Sequence, residues 1–327
     1  MQQKLTMLNS QKTLIVVTGP TAVGKTRLSM ELAARLHIPI INADSRQIYR
    51  DMTIGTAAPT EEEQRRVKHY FVATLPPEQY YSASMYEQQV MELLPQLFAQ
   101  SDYALMSGGS MMYIDAVCNG IDDIPTVDDQ TRATMKRRLA QEGLESLCEE
   151  LRRLDPEHWA IVDRKNPRRV LHALEICHIS GRTYTSFRRK DSDGQQQMAQ
   201  RGFNIVKLGL TMPREEIYNR INSRVDKMME QGLLDEVRRL LPMRHANALN
   251  TVGYKELFAH LDGLWTLEEA TERIKGNTRR YARKQLTWFK RDPHMRWFHP
   301  DDIDACMEYI CQSENERMKI EDSSNAG

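Results

Sequence analysis

Gly19-Pro20-Thr21-Ala22-Val23-Gly24-Lys25-Thr26 spells G-x-x-x-x-G-K-[ST]. The backbone N–H groups of such a loop curl around an anionic phosphate, which also sits at the positive end of the helix that follows. Lys25 adds a point charge, and the Thr26 hydroxyl is placed to hold Mg²⁺. A second candidate is Asp44, in Asn42-Ala43-Asp44-Ser45. A carboxylate there orders Mg²⁺ or accepts a proton from an attacking nucleophile; it equally fits a turn or an N-cap. Ser107-Gly108-Gly109-Ser110 combines glycines that admit close backbone approach with a hydroxyl, a pattern shared with simple tight turns. Arg220 and Arg224, four apart on one helical face, suit a bidentate grip on diphosphate or a solvated surface. Between Arg279 and Arg291, cations alternate with Tyr281, Trp288 and Phe289. RNA offers phosphates to the first and unstacked base faces to the second. Arg164-Lys165-Asn166-Pro167-Arg168-Arg169 and Arg188-Arg189-Lys190 add to that basic character.

These residues need a scaffold that brings them together. Apolar runs at Leu14–Val17, Ile38–Ile41 and Tyr103–Met106 precede the phosphate loop, Asp44 and the Gly108-Gly109 turn in that order. Helical stretches lie between the runs, which predicts βαβ units and a parallel sheet. All three motifs would then open on the carboxyl edge, where open α/β sheets place ligands. From Arg132 to Leu154 apolar residues recur with a helical period, and a further helix is expected from Pro167 to Ile179, capped by Gly181. Asp191–Gln197 reads as a polar loop. Phe203–Leu210 returns to strand character, followed by helices at Arg214–Gln231, Leu233–Leu241 and Leu267–Lys290. The expected fold is α/β: a P-loop NTPase-like parallel sheet flanked by helices, with an all-helical insertion. Residues 1–120 and 201–312 would form the core and 121–200 the insertion. Residues 313–327 are read as an acidic tail without fixed structure.

At 327 residues the chain can bury a substantial core. Its formal net charge is zero, but the charge is segregated. Residues 271–300 carry nine Lys/Arg against Glu272 and Asp292, whereas residues 301–327 carry eight acids against two bases. The five cysteines have no C-x-x-C spacing, so thiols in a reducing cytoplasm are expected. No apolar run approaches the roughly 20 residues of a membrane helix, and the polar start lacks the apolar segment of a secretory signal. A cytoplasmic protein without a membrane segment follows.

Together these residues resemble the tRNA dimethylallyltransferases (isopentenyltransferases), which prenylate the adenosine 3′ of the anticodon. The matching blocks are GPTAVGKT (19–26), DSRQIYRDMTIGTAAP (44–59), SGGSMMY (107–113), NPRRVLHALEICHISG (166–181), INSRVDKMMEQGLLDEV (221–237), TVGYKEL (251–257) and TRRYARKQLTWFKRD (278–292). They run in family order along most of the chain, and ordinary phosphate-loop kinases lack the last four.

The resemblance implies that Asp44 is the general base at the adenine amine. It implies that Gly19 and Thr21-Ala22-Val23-Gly24-Lys25-Thr26, with Arg224, hold the diphosphate of dimethylallyl diphosphate, Thr26 helping to hold Mg²⁺. Lys25, Thr26 and Arg224 would act with Asp44 in catalysis. The tRNA anticodon stem-loop would meet Asp44, Ser45, Arg46 and Gln47, Ser110 at a channel mouth, Arg132, and Asn166, Pro167, Arg168 and Arg169. It would also meet Asn250, Thr251, Val252, Gly253, Tyr254 and Lys255, and Arg283, Lys284, Gln285, Leu286, Thr287, Trp288, Phe289 and Lys290. A monomer is expected. The chain departs from the family pattern where a histidine pair reads His69-Tyr70 with the following acid missing, where Gly-Gly-Thr reads Gly108-Gly109-Ser110, and at Ala58, often a lysine. A phosphate-loop kinase would share the first three motifs and bind ATP, leaving the basic aromatic helix unexplained. A non-catalytic RNA-binding protein would bind RNA without turnover.

Overall fold

A computed structural model describes residues 12–120, 124–125, 127–188 and 201–324. Its centre is β1 (Thr13–Thr18), buried along its whole length. Successive strand side chains point to opposite faces, and here each face has its own core. Leu14 and Val16 join one cluster with Ile41 and Met106; Ile15 and Val17 join another with Ile40, Leu105 and Leu208. A strand buried on both faces reads as a continuous apolar run, which is why β1 is visible in the sequence.

The sheet has six parallel strands in the order β3-β2-β4-β1-β5-β6: β2 is Ile40–Asn42, β3 His69–Tyr70, β4 Tyr103–Ser107, β5 Asn204–Leu210 and β6 Arg296–Phe298. β1 pairs with β4 from Thr13↔Tyr103 to Val17↔Ser107 and with β5 from Thr13↔Asn204 to Thr18↔Gly209. The parallel α/β sheet flanked by helices is the expected fold class. Edge strands β3 and β6, with two and three residues, are too short to give an apolar run and are additions to the sequence reading.

Helices follow the strands: α1 (Lys25–Leu36) after β1, α2 (Glu61–Arg66) before β3, α3 (Ala83–Phe98) before β4 and α4 (Met111–Asn119) after it. By alpha-carbon proximity the chain separates into Met1–Asn119 with Met198–Gly327, and Gly120–Gln197. The second unit contains α5 (Asp129–Leu154), α6 (Pro156–Ile161) and α7 (Pro167–Ser180), packed around Met135, Leu147, Leu151, Val170 and Leu174. The long helix is broken at Gly143, where φ of 80° suits a residue without Cβ. Gly181 ends α7 in the left-handed conformation.

After β5 come α8 (Arg214–Glu230), α9 (Leu233–Arg239), α10 (Tyr254–Leu261) and α11 (Leu267–Phe289). The last helix, α12 (Ile303–Ser324), corrects the expectation of an unstructured tail, because its backbone stays helical to Ser324. The acidity of that segment masked its many strong helix formers, Glu, Lys, Met and Arg. Asp191–Gln197, Arg189, Lys190 and residues 1–11 and 325–327 lie outside the described residues. Among the described residues the five cysteines are free, and no helix is long and apolar enough to cross a membrane.

Candidate active site

Three loops leave neighbouring strands at the carboxyl edge and are bonded to one another there. Ala43 N–H donates to Ser107 O (2.7 Å), Gly108 N–H to Val17 O (3.1 Å) and Ser110 N–H to Ala43 O (3.1 Å). The Thr18 hydroxyl donates to Gly108 O at 3.1 Å. A Cβ on Gly108 would lie 2.2 Å from Ala43 O, so the glycine is required by backbone contact. The turn after β4 and the turn bearing Asp44 therefore form one block.

The phosphate loop curls through Ala22 (φ 65°) and Gly24 (φ 109°) into α1. Lys25 folds back across it, with Nζ donating to Gly19 O (3.0 Å) and Pro20 O (2.9 Å). Enclosure of the ammonium lowers the Lys25 pKa to about 8; nearby Arg224 pushes the same way and Asp44 opposes. Arg224, on α8, is itself lowered by burial. Lys25 and Arg224 thus set two cations beside the Asp44 carboxylate, a charge arrangement suited to an anionic ligand.

Asp44 Oδ1 accepts from Arg46 N–H (2.9 Å) and weakly from Gln47 N–H (3.4 Å), which orients the carboxylate through its own turn. The Ser110 hydroxyl accepts Ser45 N–H at 2.7 Å and braces that turn from the β4 side. Ser110 is buried, so it is a support of Asp44 where RNA contact was expected. Gln47 Nε2 donates to Thr56 O and Ala57 O, both at 3.0 Å, and ties the next segment to the site. Thr21, Lys25, Thr26, Asp44, Gln47 and Arg224 line one open cavity of about 420 Å³, within the size range of small-molecule sites. His69, in β3, lines a small cavity of about 50 Å³ next to Lys25 and Asp44, and burial holds its imidazole below the usual value.

The segment around Thr53–Gly55 is held by a residue outside the sequence motifs' assigned roles. The Glu236 carboxylate, 1% exposed, accepts Ile54 N–H (2.8 Å), Gly55 N–H (2.9 Å) and the Tyr254 hydroxyl (2.7 Å). Tyr254 is fully buried and Gly253 is also inside. These two were expected at the RNA; the packing makes them internal supports, because Tyr254 sits where any Cβ on Gly55 would touch its ring. Thr251 and Val252 are half-buried, while Asn250 and Lys255 are exposed. The available signal was the position of Glu236 beside Leu233 and Val237 on the apolar side of α9.

α11 separates its residues by face. Ala282, Gln285 and Phe289, at spacings of three and four, are buried, with Gln285 at 2% and Phe289 at 3% exposure. RNA contact was expected of those last two; the helical period instead turns them into the core. Arg283, Lys284, Thr287 and Lys290 are exposed, and Leu286 is half-buried. Trp288 is half-buried too, its indole N–H donating to Asp115 (2.9 Å) and its ring covered by the Arg291 guanidinium at 3.8 Å. Tyr281 is exposed on this helix and belongs to the aromatic pattern, although the sequence gives it no separate role. Its hydroxyl pKa rises to about 12 through desolvation, with Asp44 adding to the effect. In the helical unit, Pro167 starts α7, and Arg168 and Arg169 are exposed on its first turn beside half-buried Asn166 and Pro167. Arg132 lies half-buried on α5.

The IPP transferase family model matches residues 47–292. The chain belongs to the IPP transferase family. Its sequence is 59% identical to tRNA dimethylallyltransferase 1 of Bacteroides thetaiotaomicron over 91% of this chain and 95% of that one. The fold of this IPP transferase matches the full-length tRNA isopentenylpyrophosphate transferase of Bacillus halodurans with a TM-score of 0.69 at 34% identity, covering 95% and 99% of the two chains. A eukaryotic dimethylallyltransferase solved while acting on tRNA shares the fold, with a TM-score of 0.74 at 23% identity, covering 90% of this chain and 75% of that one.

Proposed function

We propose that the protein transfers a dimethylallyl group from dimethylallyl diphosphate to the exocyclic amine of the adenosine 3′-adjacent to the anticodon of tRNA. Family membership supports the reaction class. The observation that carries the assignment of roles is a cavity lined together by Asp44, Lys25, Thr26 and Arg224. The amine nitrogen forms a bond to the allylic carbon as the carbon–oxygen bond to diphosphate breaks, and the amine's proton passes to Asp44. Adenine's amine is a weak nucleophile, so most of the catalytic demand falls on the leaving group. Lys25, Arg224 and the loop N–H groups stabilise charge developing on the departing diphosphate. In this reading the phosphate loop holds a leaving group, and no ATP is consumed.

Mg²⁺ fits the site in a limited way. Among the described residues no cluster of three acidic, histidine or cysteine side chains could cage a cation. The exposed Thr26 hydroxyl lines the same cavity as Asp44, which suits an ion that keeps its waters and takes most ligands from substrate phosphates. Thr26 would hold it, and bound there it would neutralise diphosphate charge. The basic face of α11 and the start of α7 are assigned to the tRNA backbone. The base must leave its stack to reach the cavity, which costs least in a single-stranded loop. The protein is assigned to the cytoplasm and to action as a monomer.

The test is incubation with Mg²⁺, dimethylallyl diphosphate and unmodified tRNA, followed by digestion and mass spectrometry. One prenylated adenosine, lost with Lys25→Ala, is the expected product. Phosphate transfer from ATP in its place would establish the kinase alternative.

A further inference from the structure

The front of the phosphate loop is closed by a side chain from the far end of the chain. Gln285 lies on the buried stripe of α11, and both ends of its amide are used. Oε1 accepts Thr21 N–H at 2.9 Å, and Nε2 donates to Gly109 O at 2.8 Å. A Cβ on Gly109 would lie 2.4 Å from that Nε2, so the turn is glycine where the amide passes. From Gly109 the chain of bonds continues: the Ser110 hydroxyl accepts Ser45 N–H, and Asp44 is the next residue.

We infer that Gln285 is a positioning residue that holds the diphosphate cradle and the Asp44 turn at a fixed separation. This rests on the prenyl-transfer reading above. Two features of the loop make the role specific. Pro20 has no N–H, and the Thr21 N–H is taken by Gln285, so neither residue offers an anion an amide. That directs the anion toward the later loop amides, up to Thr26, and sets the donor's reacting carbon relative to Asp44. The same side chain is therefore the link between where the leaving group sits and where the base sits. Misplacement by about 1 Å of groups that must meet in a transition state costs about a hundredfold in rate.

The two bonds are separable. Gln285→Met keeps the volume and removes both. Gln285→Glu keeps the acceptor for Thr21 N–H and loses the donor to Gly109 O. Gln285→Met is expected to raise KM for dimethylallyl diphosphate about tenfold, since the loop loses the side chain that fixes its position, and to lower kcat at least tenfold. Gln285→Glu is expected to leave that KM within about threefold while kcat still falls about tenfold, because the Asp44 turn is released. The dissociation constant for tRNA should stay within twofold in both, as Gln285 is buried beneath the exposed face of α11. A wild type that makes no prenylated adenosine removes the functional reading, and this inference with it. A wild type that turns over, with variants that only melt earlier and keep kcat and KM at low temperature, leaves that reading intact and overturns the positioning role. Equal loss of donor and tRNA affinity overturns it also.

Discussion

Asp44 has one oxygen committed to backbone N–H groups of its own turn, and that geometry orients the carboxylate. As general base it should contribute about 10²–10⁴ in rate. Asp44→Ala is therefore expected to slow single-turnover transfer at least a hundredfold while tRNA binding changes by only a few-fold; an unchanged rate would take Asp44 out of the mechanism. Lys25 makes a pH prediction. Its pKa is near 8, and an anion bound against it raises that value. Above pH 8, binding must take up a proton, so donor affinity falls as pH rises, with a limiting slope of about tenfold per unit. Calorimetry from pH 7 to 9.5 measures this. Lys25→Arg, charged throughout that range, should flatten the profile.

At the scale of elements, α11 is a basic outer face with a core-forming inner one. Replacing Arg283 and Lys284 with alanine should weaken tRNA binding and reduce the slope of log affinity against log salt by about one for each phosphate left without its cation. An unchanged slope would leave that face without its role. Glu236 holds the segment leading into Thr56 and Ala57 by gathering two backbone amides and a tyrosine hydroxyl. Glu236→Gln places a donor against donors in a buried position, so an unfolding free energy lower by about 1–3 kcal/mol is expected in denaturant titration. These two helices also show what can be read from sequence. Strands β1, β4 and β5 and the phosphate loop were legible because a doubly buried strand is an apolar run and the loop is a fixed spacing. The inward turn of Gln285 and Phe289 was not, because the cation–aromatic alternation drew the whole segment into one RNA surface. Its three-and-four spacing carried the opposite information. Edge strands β3 and β6 are fixed by pairing to β2 and β5, a nonlocal fact with no local signature.

Over the whole molecule, every residue of the donor cavity comes from Met1–Asn119 and Met198–Gly327, and the helical unit has a separate core. Leu147→Ala, at a fully buried position of that core, should destabilise the helical unit by about 2–5 kcal/mol. Donor affinity should not change, while tRNA affinity falls if the unit grips the anticodon arm as proposed. Measuring both constants on one preparation separates the two. Thr21 and Gln285, bonded through a single amide, are 264 residues apart in the chain. A ribosome adding about 5–20 residues per second takes roughly 13–50 s to travel between them. The first motif to emerge is thus the last to be finished. Until α11 has left the exit tunnel, a nascent chain lacks the side chain that joins Thr21 to Gly109, so the phosphate loop and the turn after β4 are tied together only once synthesis is nearly complete.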